Sequence, residues 1–99
     1  MAEVIWSPSA KRDLHAIHDH IAQDSVFYAR RFVERIVDHA ATLATHPLKG
    51  HVVREFKDLS IREVMLDDYR IIHRITSGEV QIIRIFYAKR VLRPKHLRS

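Results

Sequence analysis

No cysteine occurs in the 99 residues, so neither a disulfide framework nor a thiolate metal site can form, and the fold must be held by its core alone. That fits a reducing compartment. With only two glycines and three prolines there is little linker or low-complexity sequence, and order is expected nearly end to end. No Gly-rich phosphate loop is present, and no serine sits in a recognisable nucleophile setting. Met1 to Ser7 lacks a basic start followed by an apolar run, and no apolar stretch elsewhere approaches a membrane span, so a cytoplasmic chain is expected. The length excludes a second domain. Residues 1–99 are read as one unit, with about one layer of helix packed on one sheet.

What is present is positive charge, unevenly placed. Seventeen Lys and Arg against twelve Asp and Glu give a formal net charge of +5. Residues 1–48 hold five basic and six acidic side chains, whereas residues 49–99 hold twelve basic and six acidic. A merely soluble surface would spread its charge more evenly. A one-sided balance raises the local concentration of polyanions or of an acidic protein by long-range attraction.

Glu3 to Trp6 is short, β-branched and aromatic, and it runs into Ser7-Pro8, where serine can cap a helix that begins with proline. Ala10, Leu14, Ile17 and Ile21 then recur at helical spacing, which predicts an amphipathic helix over Pro8 to Gln23. After the Asp24-Ser25 break a second stripe, Ala29, Phe32, Val33, Ile36, Ala40 and Leu43, predicts a helix from about Val26 to near Thr45, stopped by Pro47 and Gly50. Beyond Gly50 the period changes to two, predicting strands at Val52–Phe56, Ile61–Leu66, Tyr69–Ile75 and Val80–Tyr87. Asp67-Asp68 and Thr76-Ser77-Gly78-Glu79 serve as hairpin turns. The expected class is α+β, ordered β-α-α-β-β-β-β, with a helical hairpin packed on a mainly antiparallel sheet.

The helices cover one sheet face, and the other is expected to be open and decorated with Arg62, Arg70, Arg74 and Arg84. Lys89, Arg90, Arg93, Lys95 and Arg98 follow directly after the last strand. Guanidinium forks suit carboxylates and phosphates alike, although arginine also fills solvated sheet faces commonly. Tyr87, His96 and several cations meet in the tail segment, which strengthens a functional reading there. Of eight histidines, His15 and His18 with Asp19 have a spacing that shares a helix face, but no further ligand is evident, so a solvated face is the reading and no metal or other cofactor is expected. His73 shares a strand face with Ile71 and Ile75, which predicts a buried or half-buried histidine satisfied by hydrogen bonds and not a catalytic base.

The order of several short strings resembles the ParE/RelE toxin superfamily of type II toxin–antitoxin systems across nearly the whole chain. They are Trp6-Ser7-Pro8-Ser9-Ala10, Asp13-Leu14, Ile17, the Ile21 to Asp24 break, Ala29, Phe32 and Ile36, His46 to Gly50, Ile61-Arg62-Glu63, Tyr69 to Ile72, Val80 to Tyr87 and Ala88-Lys89-Arg90. The resemblance implies a compact domain neutralised by an antitoxin whose acidic or amphipathic C-terminal segment wraps around it. It also implies one of two activities. RelE-like members cleave messenger RNA in the ribosomal A site, and ParE-like members poison DNA gyrase.

In the RNA-cleaving reading Arg70 and Arg90 would stabilise the phosphorane charge, and His96 would shuttle a proton during attack by the ribose 2′-OH. In the gyrase reading Arg62, Arg70, Arg84, Lys89, Arg90 and Arg93 would form the target-binding surface. The helix strings and Ile61-Arg62-Glu63 look more ParE-like, and only Lys49 and Lys57 stand where RelE-like enzymes carry a lysine-rich segment. The gyrase reading is therefore the expectation, with the RNA-cleaving enzyme as alternative and a non-toxic module that keeps only the fold as a third. One fold hosts both chemistries, so the fold alone does not decide.

Overall fold

The computed structural model describes residues 1–97; Arg98, counted above with the basic tail, lies outside the described residues. The chain runs β1 (Glu3–Trp6), α1 (Pro8–Ala22), α2 (Val26–Ala41), β2 (His51–Val52), β3 (Ile61–Leu66), β4 (Tyr69–Thr76) and β5 (Glu79–Tyr87). Short 3₁₀ turns cover Thr42–Ala44 and Pro94–Leu97. The five strands form one sheet in the order β1-β5-β4-β3-β2. All neighbours are antiparallel except β1, which lies parallel to β5 at one edge. The expected element order and hairpin-on-sheet architecture are what the chain adopts.

Both helices start as their sequences dictate. Ser7 Oγ accepts from Ala10 N at 3.0 Å and donates to Ile83 O at 2.7 Å, so one hydroxyl caps α1 and stitches it to β5. Ser25 Oγ caps α2 by accepting from Tyr28 N at 3.1 Å. The apolar stripes of the two helices meet one sheet face in a core built from Ala10, Ile17, Ile36, Ala40, Leu43, Val64, Leu66, Ile71, Val80, Ile82 and Ile85. A register shift where β4 passes from Ile72 to His73 lets β5 change face. Ile82 and Ile85 therefore enter this core, while Ile83 and Phe86 enter another.

That second core corrects two expectations. The far side of the sheet is not an open arginine face, because Val53, Ile61, Ile72, Ile83, Phe86 and Leu92 form a buried cluster there, with Phe56 and Leu97 packed against it. Two segments cover it, residues 53–57 and 91–97. Strand β2 accordingly ends at Val52 instead of reaching Phe56. Val53 N still bonds Ile61 O at 3.0 Å, but Phe56 N and Lys57 N turn back to Val53 O at 3.1 and 3.2 Å, and Lys57 adopts a positive φ of 51°. Burying Phe56 over the sheet outweighs extending the edge ladder by a few bonds. The second helix likewise tightens to 3₁₀ geometry after Ala41 before its expected end.

Candidate functional site

Phe86 on β5 is the centre about which the sequence-predicted cations assemble. Arg70 on β4 is its direct cross-strand partner, Arg84 lies two residues before it, and Arg90 and His96 come from the segment that follows the strand. The guanidinium carbons of Arg84 and Arg90 sit 4.8 and 4.6 Å from the Phe86 ring centroid, and the His96 ring meets it edge-on at 4.7 Å.

These residues fall into two groups. Arg70 is 6% exposed; its Nη1 and Nη2 each donate at 2.9 Å to an oxygen of Glu55, and its Nε donates to Glu63. Glu55 Oε2 also accepts from Leu92 N at 3.2 Å, so the same carboxylate ties down the C-terminal cover. The Arg70 hydrogen bonds hold the Glu55 carboxyl down at about 2, and Glu55 in turn raises the Arg70 pKa further. Arg84 is paired in the same manner. Its Nε and Nη2 donate to the two oxygens of Asp13 at 2.7 and 2.9 Å, and Asp13 Oδ2 also accepts from Ile85 N at 2.9 Å. Asp13 on α1 therefore completes the β5 edge beyond the point where β1 leaves it.

The second group lies at the surface. Lys89, Arg90, Arg93 and Lys95 are exposed, and among the described residues none of them forms an ion pair. His96, 8% exposed, accepts at Nδ1 from Arg93 N at 2.8 Å, which puts its proton on Nε2 in the neutral ring. Burial, reinforced by Arg90, Arg84, Lys95 and Arg93, lowers its pKa, so the imidazole is neutral near pH 7. Arg62 stands apart. It lies across from His73, and its Nη2 donates to Gly50 O at 3.1 Å. His73 is wholly buried, as its place in the strand pattern predicts, with Nε2 3.2 Å from Pro47 O.

Sequence reasoning missed the carboxylates. Glu63 was within reach, because a two-residue turn at Asp67-Asp68 makes Met65 oppose Arg70 and leaves Glu63 diagonal to it on the same face. Glu55 and Asp13 gave no such signal, being brought in by a loop and by a helix. Also missed was a groove of about 210 Å³ between α1 and the end of β5, lined by Asp13, His20, Tyr69, Phe86, Tyr87 and Arg90 among others. On the hairpin, Val26, Phe27 and Tyr28 are 68, 65 and 67% exposed beside a groove of about 450 Å³ that includes Ile21, Arg31, Phe32 and Arg35. An apolar patch of this kind at the start of a helix marks an interaction surface. No group of three or more histidine and carboxylate side chains able to hold a metal occurs among the described residues. No helix among the described residues is long and apolar enough to cross a membrane.

Comparison with known proteins agrees with this architecture. The family described as the ParE toxin of the type II toxin-antitoxin system, parDE, matches residues 4–92. Toxin RelE2 of Caulobacter vibrioides is 36% identical over 92 residues, covering 92% of this chain and all of that protein. Among solved structures, the chromosomal ParDE system from P. aeruginosa is similar at a TM-score of 0.76 and 26% identity, covering 90% of this chain and 98% of that one. The toxin-antitoxin complex RelBE2 from Mycobacterium tuberculosis shares the fold at a TM-score of 0.66 and 24% identity, covering 89% and 93%. With the family match running from β1 through the cover segment, the chain belongs to the ParE toxin family of type II toxin-antitoxin systems.

Proposed function

We propose that this toxin acts in the cytoplasm on DNA gyrase, is neutralised by a cognate antitoxin, and is not an RNA-cleaving enzyme. The observation that carries the reading is the state of Arg70 and His96. A nuclease needs a guanidinium free to meet phosphorane charge and a base free to move a proton. Here Arg70 is enclosed by two carboxylates, and His96 is a neutral ring buried against Phe86 with Nδ1 engaged by the backbone. What remains free is a set of cations, Lys89, Arg90, Arg93 and Lys95, suited to binding rather than bond breaking. The antitoxin reading draws on the exposed hairpin patch, where Val26, Phe27 and Tyr28 stand beside Arg30, Arg31 and Arg35. Apolar side chains rimmed by arginine suit an amphipathic segment with an acidic face.

Induction of the chain in cells tests the target directly. DNA breaks and an SOS response without A-site cleavage by messenger RNA primer extension are the expected result. Cleavage of messenger RNA with intact chromosomal DNA would replace this reading with the ribosome-dependent endonuclease.

A further inference from the structure

We infer that the layer covering the outer sheet face is a sequence-independent binding surface for the backbone of duplex DNA. The inference rests on the gyrase-directed reading and extends it, since it gives the toxin its own contact with the DNA that gyrase holds.

The argument begins with where charge is neutralised. Beneath the cover, Arg70 is matched by Glu55 and Glu63, and Arg84 by Asp13. Those three carboxylates are thereby used internally, and Asp58 is turned onto its own loop, accepting from Ser60 N and Ser60 Oγ at 2.9 and 2.7 Å, so that the exposed Asp68 is the carboxylate left beside Lys89, its backbone O accepting from Ala88 N. Outside, Lys89, Arg90, Arg93 and Lys95 are exposed and form no ion pair among the described residues, and Arg90, Arg93 and Lys95 crowd His96 together with Arg84. The neighbouring segment adds Arg54 and Lys57, both exposed, and it packs with the C-terminal segment through Val53, Phe56, Leu92 and Leu97. The fold thus removes negative charge from this face and leaves positive charge standing on it.

The scarcity of open ring faces among the described residues of this surface, where Tyr87 is the one exposed ring, selects the ligand. Single-stranded nucleic acid is held by exposed aromatic platforms as well as by charge. Here Phe86 is 1% exposed, Phe56 is half-buried, and the exposed Tyr87 packs edge-on against Tyr69, which belongs to the helix-covered side. Cations without aromatic platforms read a backbone and not bases, and a duplex presents that backbone most densely.

The test uses the full chain, refolded after purification under denaturing conditions, and a fluorescent duplex of about 20 base pairs read by anisotropy. With four phosphate contacts the logarithm of the affinity should fall against the logarithm of salt with a slope of about −3.6, a loss of roughly 100-fold between about 50 and about 200 mM salt. Arg93→Gln with Lys95→Gln should cut that slope by about half, while Arg30→Gln, an exposed cation of the helical hairpin, should leave it alone. Failure to bind the duplex at low salt would overturn the inference. So would an unchanged slope in the double variant with native circular dichroism, tighter binding of the matching single strand, or equal binding of a polyglutamate of the same charge. Stabilised gyrase cleavage complexes with no duplex binding sink this inference alone. Duplex binding without any effect on gyrase sinks the gyrase reading alone.

Discussion

Arg70 and Glu55 form a two-pronged ion pair, with Nη1 and Nη2 each 2.9 Å from a carboxylate oxygen, on side chains only 7% and 21% exposed. Fifteen positions apart in sequence, they join the centre of the sheet to the segment that closes over it. Removing one partner from such a pair leaves an unmatched charge, which costs far more than the pair itself contributes. Arg70→Met, which strips both Glu55 and Glu63 of their guanidinium, should therefore destabilise the fold by about 3–5 kcal/mol in urea denaturation, whereas Arg70→Met combined with Glu55→Gln should cost less. Equal losses in the single and double variants would mean that packing around the pair, not charge, sets its importance.

The same pair sets an acid limit to stability. The Glu55 carboxyl is held at about 2 against an ordinary value of 4.5, so its stabilisation is complete above pH 4.5 and is lost as pH falls from there toward 2. Histidines act at higher pH. Burial lowers the pKa values of His73 and His96 below 6.5, so as pH drops below 6.5 the unfolded chain takes up protons that the folded chain refuses, and stability declines. Denaturation midpoints measured against pH should fall first below 6.5 and again below 4.5, and Glu55→Gln should reduce only the second decline, with Asp58, held down by its hydrogen bonds from Ser60, keeping part of it.

The two glycines should differ sharply. Both adopt positive φ, 88° at Gly50 and 77° at Gly78, but a Cβ at Gly50 would collide with Glu63 O whereas one at Gly78 meets nothing within 4 Å. Gly78→Ala should cost only the backbone strain, about 1 kcal/mol. Gly50→Ala must also push the loop off β3 and should cost several times as much, visible as a drop in Tm well beyond that of Gly78→Ala.

Two substitutions at the tail separate the toxic mechanisms. His96→Phe retains a ring against Phe86 but removes the only imidazole in the cluster, so growth arrest should survive it if the toxin is a binding poison. In a nuclease the same change should reduce RNA cleavage by roughly 10²–10⁴-fold. Arg90→Ala removes a free cation and should weaken arrest without lowering thermal stability by more than about 1 kcal/mol. Full toxicity in Arg90→Ala would exclude that surface from target contact.

Much of the fold was legible because it is written locally. The stripes Ala10-Leu14-Ile17-Ile21 and Ala29-Ile36-Ala40-Leu43, the Ser7 cap, the Asp24-Ser25 break and the turns at Asp67 and Gly78 each depend on neighbours within a few residues, and each is where the pattern put it. Periodicity also foretold the burial of His73. The pairing of β1 with β5 in parallel, and the turn that takes Val53 and Phe56 out of the edge strand, depend on contacts remote in the chain and left no periodic trace.

The site divides along the same line. Composition alone makes the C-terminal half basic and names the residues that carry the charge. Which of those charges are available is set by folding, because Asp13, Glu55 and Glu63 reach Arg84 and Arg70 from a helix, a loop and a neighbouring strand, while among the described residues Arg90, Arg93 and Lys95 pair with no carboxylate. Charge is a property of composition, whereas its neutralisation requires two groups within a few ångströms, and that distance is set by the fold.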